Sequence, residues 1–386
     1  MNRTWKPLLL WTTVVMLLTG LSGADGVDSF VPDDQIVSDP TVDLVNPEFD
    51  SLWNRLVWQD KAGKLWVADL DESTGALIPP DGRGRLVDSG LYPAQLSGNG
   101  PEWVYGNNTI FIAYTKSVNG VPSLGAAQIN ARGEWIPKVL QIGDHRWRPF
   151  GSPASNAREP RILYVRRSPS GQKMLAWRKL GNPITEKTLP IMPAGGRWIE
   201  DEPAFVTAYS IDGISQVVRV DADTGQVSQI TADTDNKIAP FMWLAPDHQD
   251  YVLLSQLGTT KVAIYRRINR EWTRVYEISL PTDKPYVSSP QPFISGGRSY
   301  ISVVAAESLQ SVGALTLHPI GPSEIWLAGI DPAAPFFRRV DDPSTEANRT
   351  SPSVYYTTSG PVIFYNQLDD STGRTLLRRA ATGLPL

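Results

Sequence analysis

Within six residues the chain carries Arg197, Trp198, Glu200, Asp201 and Glu202: a cationic fork, a stacking face and three carboxyl groups. Cleaving a glycosidic bond takes one carboxyl group as acid and a second as base or nucleophile, roughly 5 to 10 Å apart. In an extended segment Glu200 and Glu202 point one way and Asp201 the other. These three are the candidate catalytic residues, with His145 or Arg148 as helpers; the alternative is that they are solvated loop acids beside Arg197. Binding without catalysis needs less. Arginine offers a planar donor fork to a carboxylate, and tryptophan gives large contact area at small entropic cost. On that basis His145, Trp147, Arg148, Arg197, Trp198, His318 and Arg349 are the candidate ligand-binding residues.

Other chemistries find less support. Imidazole is a common ligand for transition metals, and the chain has three histidines, His145, His248 and His318. The repeat register described below puts His145 and His318 on one rim and His248 on the other, which argues against a three-histidine metal site. No Gly-x-Ser-x-Gly elbow, Walker phosphate loop, His-Glu-x-x-His helix or calcium-hand loop occurs in the sequence. Nothing in it calls for a bound metal or a cofactor.

The elements that must position these residues repeat. A proline-led signal stands before an apolar or aromatic segment at Pro47, Pro101, Pro153, Pro203, Pro240, Pro292 and Pro352. The spacing is close to the roughly 40 to 50 residues of a four-stranded propeller blade. Each interval holds a β-rich run, a turn and a second run, as in Arg161-Ile162-Leu163-Tyr164-Val165, Ser168-Pro169-Ser170-Gly171 and Lys173-Met174-Leu175-Ala176-Trp177. Beyond the first 24 residues nothing sustains helical periodicity, so the class is all-β.

The expected architecture is a single β-propeller of four-stranded blades. There are seven blades if the short interval from Pro203 to Pro240 is one compact blade, and six if it is half of a larger unit. The last repeat stops after its third strand, near Ala380, and residues 34–46 are expected to supply the missing outer strand. That divides the chain into a leader (1–24), an N-terminal segment with the ring-closing strand (25–46) and the propeller (47–386). Closing the ring removes exposed strand edges. Loops entering each first strand share a rim with those joining second to third strands. This rim is expected to collect residues 144–148 and 197–202, together with Glu307, His318, Glu346 and Arg349.

One string, Val217-Val218-Arg219-Val220-Asp221-Ala222-Asp223-Thr224-Gly225-Gln226-Val227-Ser228-Gln229-Ile230-Thr231, resembles the blade motif of TolB-like, WD40-like propellers. There a strand ends in aspartate, an Asp-x-x-x-Gly turn follows, and the outer strand closes in Leu/Ile-Thr. Ala245-Pro246-Asp247-His248 is similar to the family's Ser-Pro-Asp-Gly hairpin turn, with His248 in the glycine's place. Residues 65–75 and 324–332 are weaker echoes. The resemblance implies a fold and no particular activity, since such propellers act as binding platforms, peptidase adaptors, lyases and glycosidases.

Arg3 and Lys6 precede an apolar run over residues 8–21, and Ser22 and Ala24 give the small residues of a cleavage site before Asp25. The run is shorter than the roughly 20 residues of a membrane span. A secretory signal peptide is therefore expected over 1–24, with no stable membrane span after its removal. The chain has no cysteine, which excludes disulfides and thiolate metal sites and fits a bacterial periplasm or medium. A formal net charge of −4 without a basic stretch argues against a nucleic-acid partner. The sequence thus points to an exported, non-catalytic propeller that binds a protein or glycan through one rim. The alternative is a carbohydrate-active enzyme, a glycosidase or uronate lyase, built on the rim carboxylates.

Overall fold

Apolar residues here run continuously along strands instead of alternating, because each central strand is packed on both faces. In the strand Asp250–Leu257, Leu253 packs toward the preceding sheet with Val206 and Val217, while Val252 and Leu254 pack toward the following one with Ile301 and Val303. The strand Thr109–Val118 divides likewise, Ile112 and Tyr114 to one side and Ala113 to the other. Such strands are stable only as blades of a ring. The computed structural model describes residues 32–386 except 51, 94–95, 97, 107–108, 141–142, 144, 154–158, 181–185, 190–194 and 312–316. The leader expected over 1–24, and Asp144, lie outside the described residues.

Seven antiparallel sheets form the β-propeller, six of four strands and the first of five. The innermost strands are Val45–Asp50, Glu102–Gly106, Arg146–Gly151, Gly196–Trp198, Lys237–Ala245, Tyr286–Ser295 and Arg349–Thr357, for blades 1 to 7 in order. Blades 3 and 4 require a correction to the sequence reading. In blade 3, Pro153 lies beyond the innermost strand Arg146–Gly151, whose own proline is Pro149. In blade 4, Pro203 does not lead an innermost strand; it precedes Ala204–Ile211, the second strand, and the innermost strand is the three-residue Gly196–Trp198. A strand this short carries no proline signal, so the marker falls one strand late and shortens the next interval. Seven blades result.

The predicted turns form as their side chains dictate. Asp221 Oδ1 accepts from Thr224 N at 2.7 Å and Thr224 Oγ1 at 2.8 Å, and Gly225 takes the left-handed conformation at φ 82°. Asp71 with Gly75, and Asp369 with Gly373, close equivalent turns in blades 1 and 7. In the Pro246-Asp247 turn the positive φ falls on Gln249, so His248 occupies the glycine position of the resemblance without strain.

Ring closure follows the expectation, with a shorter strand: Asp34–Ile36 pairs antiparallel with Arg374–Ala381 as the outer strand of blade 7. Residues from Val45 onward already belong to blade 1. Asp34 is the fastening. Its buried carboxylate accepts from Arg378 Nε at 2.9 Å, from the Tyr365 hydroxyl and from Asp342 N at 2.9 Å. Removing one partner of a buried ion pair leaves the other charge uncompensated, at a cost of about 3 to 5 kcal/mol. Asp34→Ala is therefore expected to lower unfolding free energy by about 3 kcal/mol, and Tyr365→Phe by about 1 kcal/mol. Equilibrium urea unfolding measures both; an Asp34→Ala protein as stable as wild type would show that the ring does not rely on this fastening.

Candidate functional site

Five of the seven innermost strands share one irregularity. Asn46, Arg148, Ala239, Ser289 and Ser351 stand at φ between 47° and 58°. Each is followed by proline, and at each the pairing with the second strand slips. A bulge of this kind leaves an unpaired residue and re-aims its side chain. Proline in the gap has no N–H to strand. In blades 2 and 4 glycines at positive φ, Gly98 and Gly195, line the axis instead. Inner strands also approach closely, and a Cβ on Gly151 would collide with the Trp103 carbonyl.

The bulges surround an open cavity of about 160 Å³ at the mouth of the central channel, lined from every blade. Blade 1 contributes Glu48, blade 3 Arg148, blade 4 Arg197, blade 5 Phe241, and blade 7 Ser351 and Ser353. His318 comes from the hairpin of blade 6, whose strands Arg298–Ser311 and Leu317–Gly329 are the longest described. Glu102, on the innermost strand of blade 2, completes the charged group. It accepts from Asn99 Nδ2 at 2.7 Å, and Asn99 also donates to the Pro149 carbonyl at 2.8 Å, tying blade 2 to blade 3. The Arg197 guanidinium lies 4.6 Å from the ring centre of Phe150 and 5.1 Å from that of Phe241, an aromatic sandwich from the neighbouring blades.

The charges perturb one another. Glu48 and Glu102 are half-buried, packed round by protein although water still reaches them. Burial, then the like charge of Glu102, raises the Glu48 carboxyl well above the usual range against the pull of Arg197. Burial raises Glu102 to about 6, opposed by Arg197 and by the hydrogen bond from Asn99. The two acids titrate as a coupled pair whose ionisation burial opposes. Burial, then the neighbouring Arg197, lowers Arg148 to about 10. His318 is lowered by burial and by Arg148, and so is neutral.

Of the residues expected from sequence, the structure brings Arg148, Arg197 and His318 together here. The others lie elsewhere. Trp198 is buried between blades 3 and 4, its indole donating to the Phe150 carbonyl at 3.1 Å and meeting Phe205 edge-on. Arg349 is fully buried, paired with Asp341 at 3.1 Å and bonded to the carbonyls of Ser323, Asp342 and Thr345, where it holds the connection from blade 6 to blade 7. Glu200, Asp201 and Glu202 form the turn between the first and second strands of blade 4, on the rim opposite to the expected one, because of the misplaced strand. The segment is not extended: Asp201 stands at φ 61°, and Glu202 accepts from Arg219 at 2.7 Å. His145 and Trp147 line a separate groove beside the channel. His248 is on the hairpin between the first two strands of blade 5, away from both other histidines.

Glu48 and Glu102 are the residues that sequence reasoning passes over. Both stand in the proline-led signal, in Pro47-Glu48-Phe49 and Pro101-Glu102-Trp103. Equivalent positions of two adjacent repeats, both acidic and both on the strand nearest the axis, are the available clue.

No protein-family model matches the chain, and no curated protein sequence is significantly similar to it. Solved structures share its fold. The β-propeller domain of Cps50 (Swd1) from Myceliophteria thermophila superposes with a TM-score of 0.52 at 9% identity, over 89% of this chain and 99% of that one. The dihydro-heme d1 dehydrogenase NirN gives 0.51 at 12%, over 89% and 68%. TolB from Acinetobacter baumannii gives 0.40 at 16%, over 85% and 79%. The likeness to TolB and WD40 propellers is one of fold, and proteins of such different kinds transfer no activity to this chain.

Two expectations follow. Trp198→Ala should cost about 3 to 5 kcal/mol in chemical unfolding, the range for a truncated core aromatic; a loss under about 1 kcal/mol would return Trp198 to the ligand-binding set. For Glu102 the folded pKa stands above the ordinary 4.5, so its contribution is fully present below about 4.5 and is lost as pH rises through about 6. Glu102→Gln should flatten the fall of the thermal midpoint across that window, and an unchanged slope would contradict the assignment.

Proposed function

We propose that the protein is an exported, non-catalytic propeller that holds an acidic group of a protein or glycan ligand at the channel mouth. One observation supports this above all: Arg148 and Arg197 converge on the cavity beside the carboxyls of Glu48 and Glu102, whose ionisation burial opposes. The two guanidinium groups stand where water is partly excluded and charge interactions are strengthened. A carboxylate suits them, because arginine forks bind it directionally.

Export rests on the leader-like residues 1–24. Among the described residues no helix is long and apolar enough to cross a membrane. A second reading, a carbohydrate-active enzyme, is favoured by the raised Glu48 carboxyl, a shift in the direction a general acid needs, with the Glu102 carboxyl coupled to it. It replaces residues 200–202 with this pair. Calorimetric titration with a uronic acid and with a glutamate-rich peptide distinguishes the readings. Arg197→Gln and Arg148→Gln should each weaken the bound acid about 10-fold to 100-fold, as expected for a lost charged hydrogen bond. The thermal midpoint should be little changed. Turnover of a polysaccharide that Glu48→Gln abolishes would establish the enzyme reading in place of the binding one.

A further inference from the structure

Beside the channel, on the same rim, runs a groove of about 280 Å³ lined by Tyr92, Pro122, His145, Trp147, Arg167 and Lys173. It lies between loops of blades 2 and 3, where the strands Thr109–Val118 and Val121–Ile129 meet at Gly120 and where Arg161–Arg167 and Lys173–Lys179 face each other. Three features make it more than a surface furrow. Its charged lining is of one sign among the described residues: Arg167 and Lys173 are exposed, neither makes an ion pair with a described residue, and no described Asp or Glu lines it. This stands out on a chain of formal charge −4.

The second feature is Trp147. Trp103, Trp177, Trp198 and Trp243 are buried with their indole N–H groups bonded to protein oxygens. Trp147 is half-buried, and among the described residues it joins none of the hydrophobic clusters between blades and makes no side-chain hydrogen bond. Third, the groove is joined to the channel through one strand. Trp147 and Arg148 are consecutive residues of Arg146–Gly151, and the slip between Trp147 and Phe150 places Trp147 on the groove and Arg148 on the cavity.

We propose that the groove is a second subsite for the same ligand, an acidic polysaccharide. One uronate or sulfated sugar stacks on Trp147 with its anionic group between Arg167 and Lys173, while a nearby acidic sugar of the chain occupies the channel mouth. This rests on the reading that the channel takes an acidic group. A peptide fits the groove less well. Peptides dock by adding a strand to a sheet edge or by filling apolar pockets, and this groove is made of hairpin loops with a mostly polar lining. A flat aromatic face flanked by cations and by the Tyr92 and His145 polar groups matches a sugar ring that carries an acid.

The test uses the purified protein, a monomeric uronic acid, a linear uronic hexasaccharide, a neutral hexasaccharide and hexaglutamate, with affinities measured by calorimetry. The acidic hexasaccharide should bind about 10-fold to 100-fold more tightly than the monomer, as a linked second contact allows. Trp147→Ala, and separately the exposed double variant Arg167→Gln with Lys173→Gln, should remove that gain and leave monomer binding unchanged. Trp147→Phe should keep part of it. Should both groove variants retain the full gain, the subsite is wrong, and loss of monomer binding in Arg197→Gln would still uphold the channel. Equal binding of the neutral hexasaccharide, or hexaglutamate binding that responds to the groove variants as strongly, overturns the assignment to an acidic sugar. The channel reading fails by itself if Arg197→Gln changes nothing for any of the probes.

Discussion

The left-handed residue followed by proline on the innermost strands is the feature on which the candidate site depends. A ladder kept regular to its end would pair every residue of these strands with the second strand, and the axis would receive only what the alternation allows. The slip breaks that rule at five points of the ring. A non-glycine residue in this conformation costs roughly 1 to 2 kcal/mol. Paid five times, the sum is comparable with the stability of a whole domain, so the strain must be offset elsewhere in the ring. Arg148 shows the consequence most directly, since its neighbours Trp147 and Phe150 remain in register with the second strand while it turns to the cavity.

The offset is in the blade interfaces. Each central strand buries both faces, and several polar groups drawn into the interfaces are paired there. In blades 2, 3, 5 and 7 a tyrosine hydroxyl donates to a carboxylate that also holds a cation: Tyr114 with Asp88 and Lys116, Tyr164 with Glu186 and Arg146, Tyr265 with Asp233 and Lys237, Tyr365 with Asp34 and Arg378. Burial and the adjacent carboxylate hold all four phenols well above their ordinary range. They therefore remain donors at any working pH. The last of these groups closes the ring, and the strain at the axis is held in place by contacts at the circumference.

The fold was legible because it is written many times over. Short apolar strands, aspartate-led turns and prolines recur from repeat to repeat, and the markers misplaced in blades 3 and 4 are outvoted by the rest. The site is written once per blade, in different residues, and has no such redundancy. The displaced proline in blade 4 moves Glu200, Asp201 and Glu202 to the wrong rim, and no neighbouring repeat corrects it. Burial is a second obstacle. Trp198 and Trp147 are alike in sequence, each beside an arginine, yet one fills an interface and the other lines a groove. Arg197 and Arg349 divide in the same way. Which side chain of an adjacent pair faces the axis is decided by the local slip, a property of backbone pairing that residue types alone do not carry.

Glu48 and Glu102 illustrate what the charges at the axis are for. A coupled acid pair whose ionisation burial opposes, and an arginine lowered to about 10 by burial and its neighbour, are both unfavourable relative to a channel filled with apolar side chains. The hydrophobic clusters between blades include none of them. Two arginines, two acids and a histidine are thus gathered on rigid strands, with aromatic rings behind Arg197 and an opening in front. On the proposed reading, such groups are pre-organised for a ligand that brings a carboxylate. The arrangement reads as a socket for charge, and the fold as the frame that keeps it open.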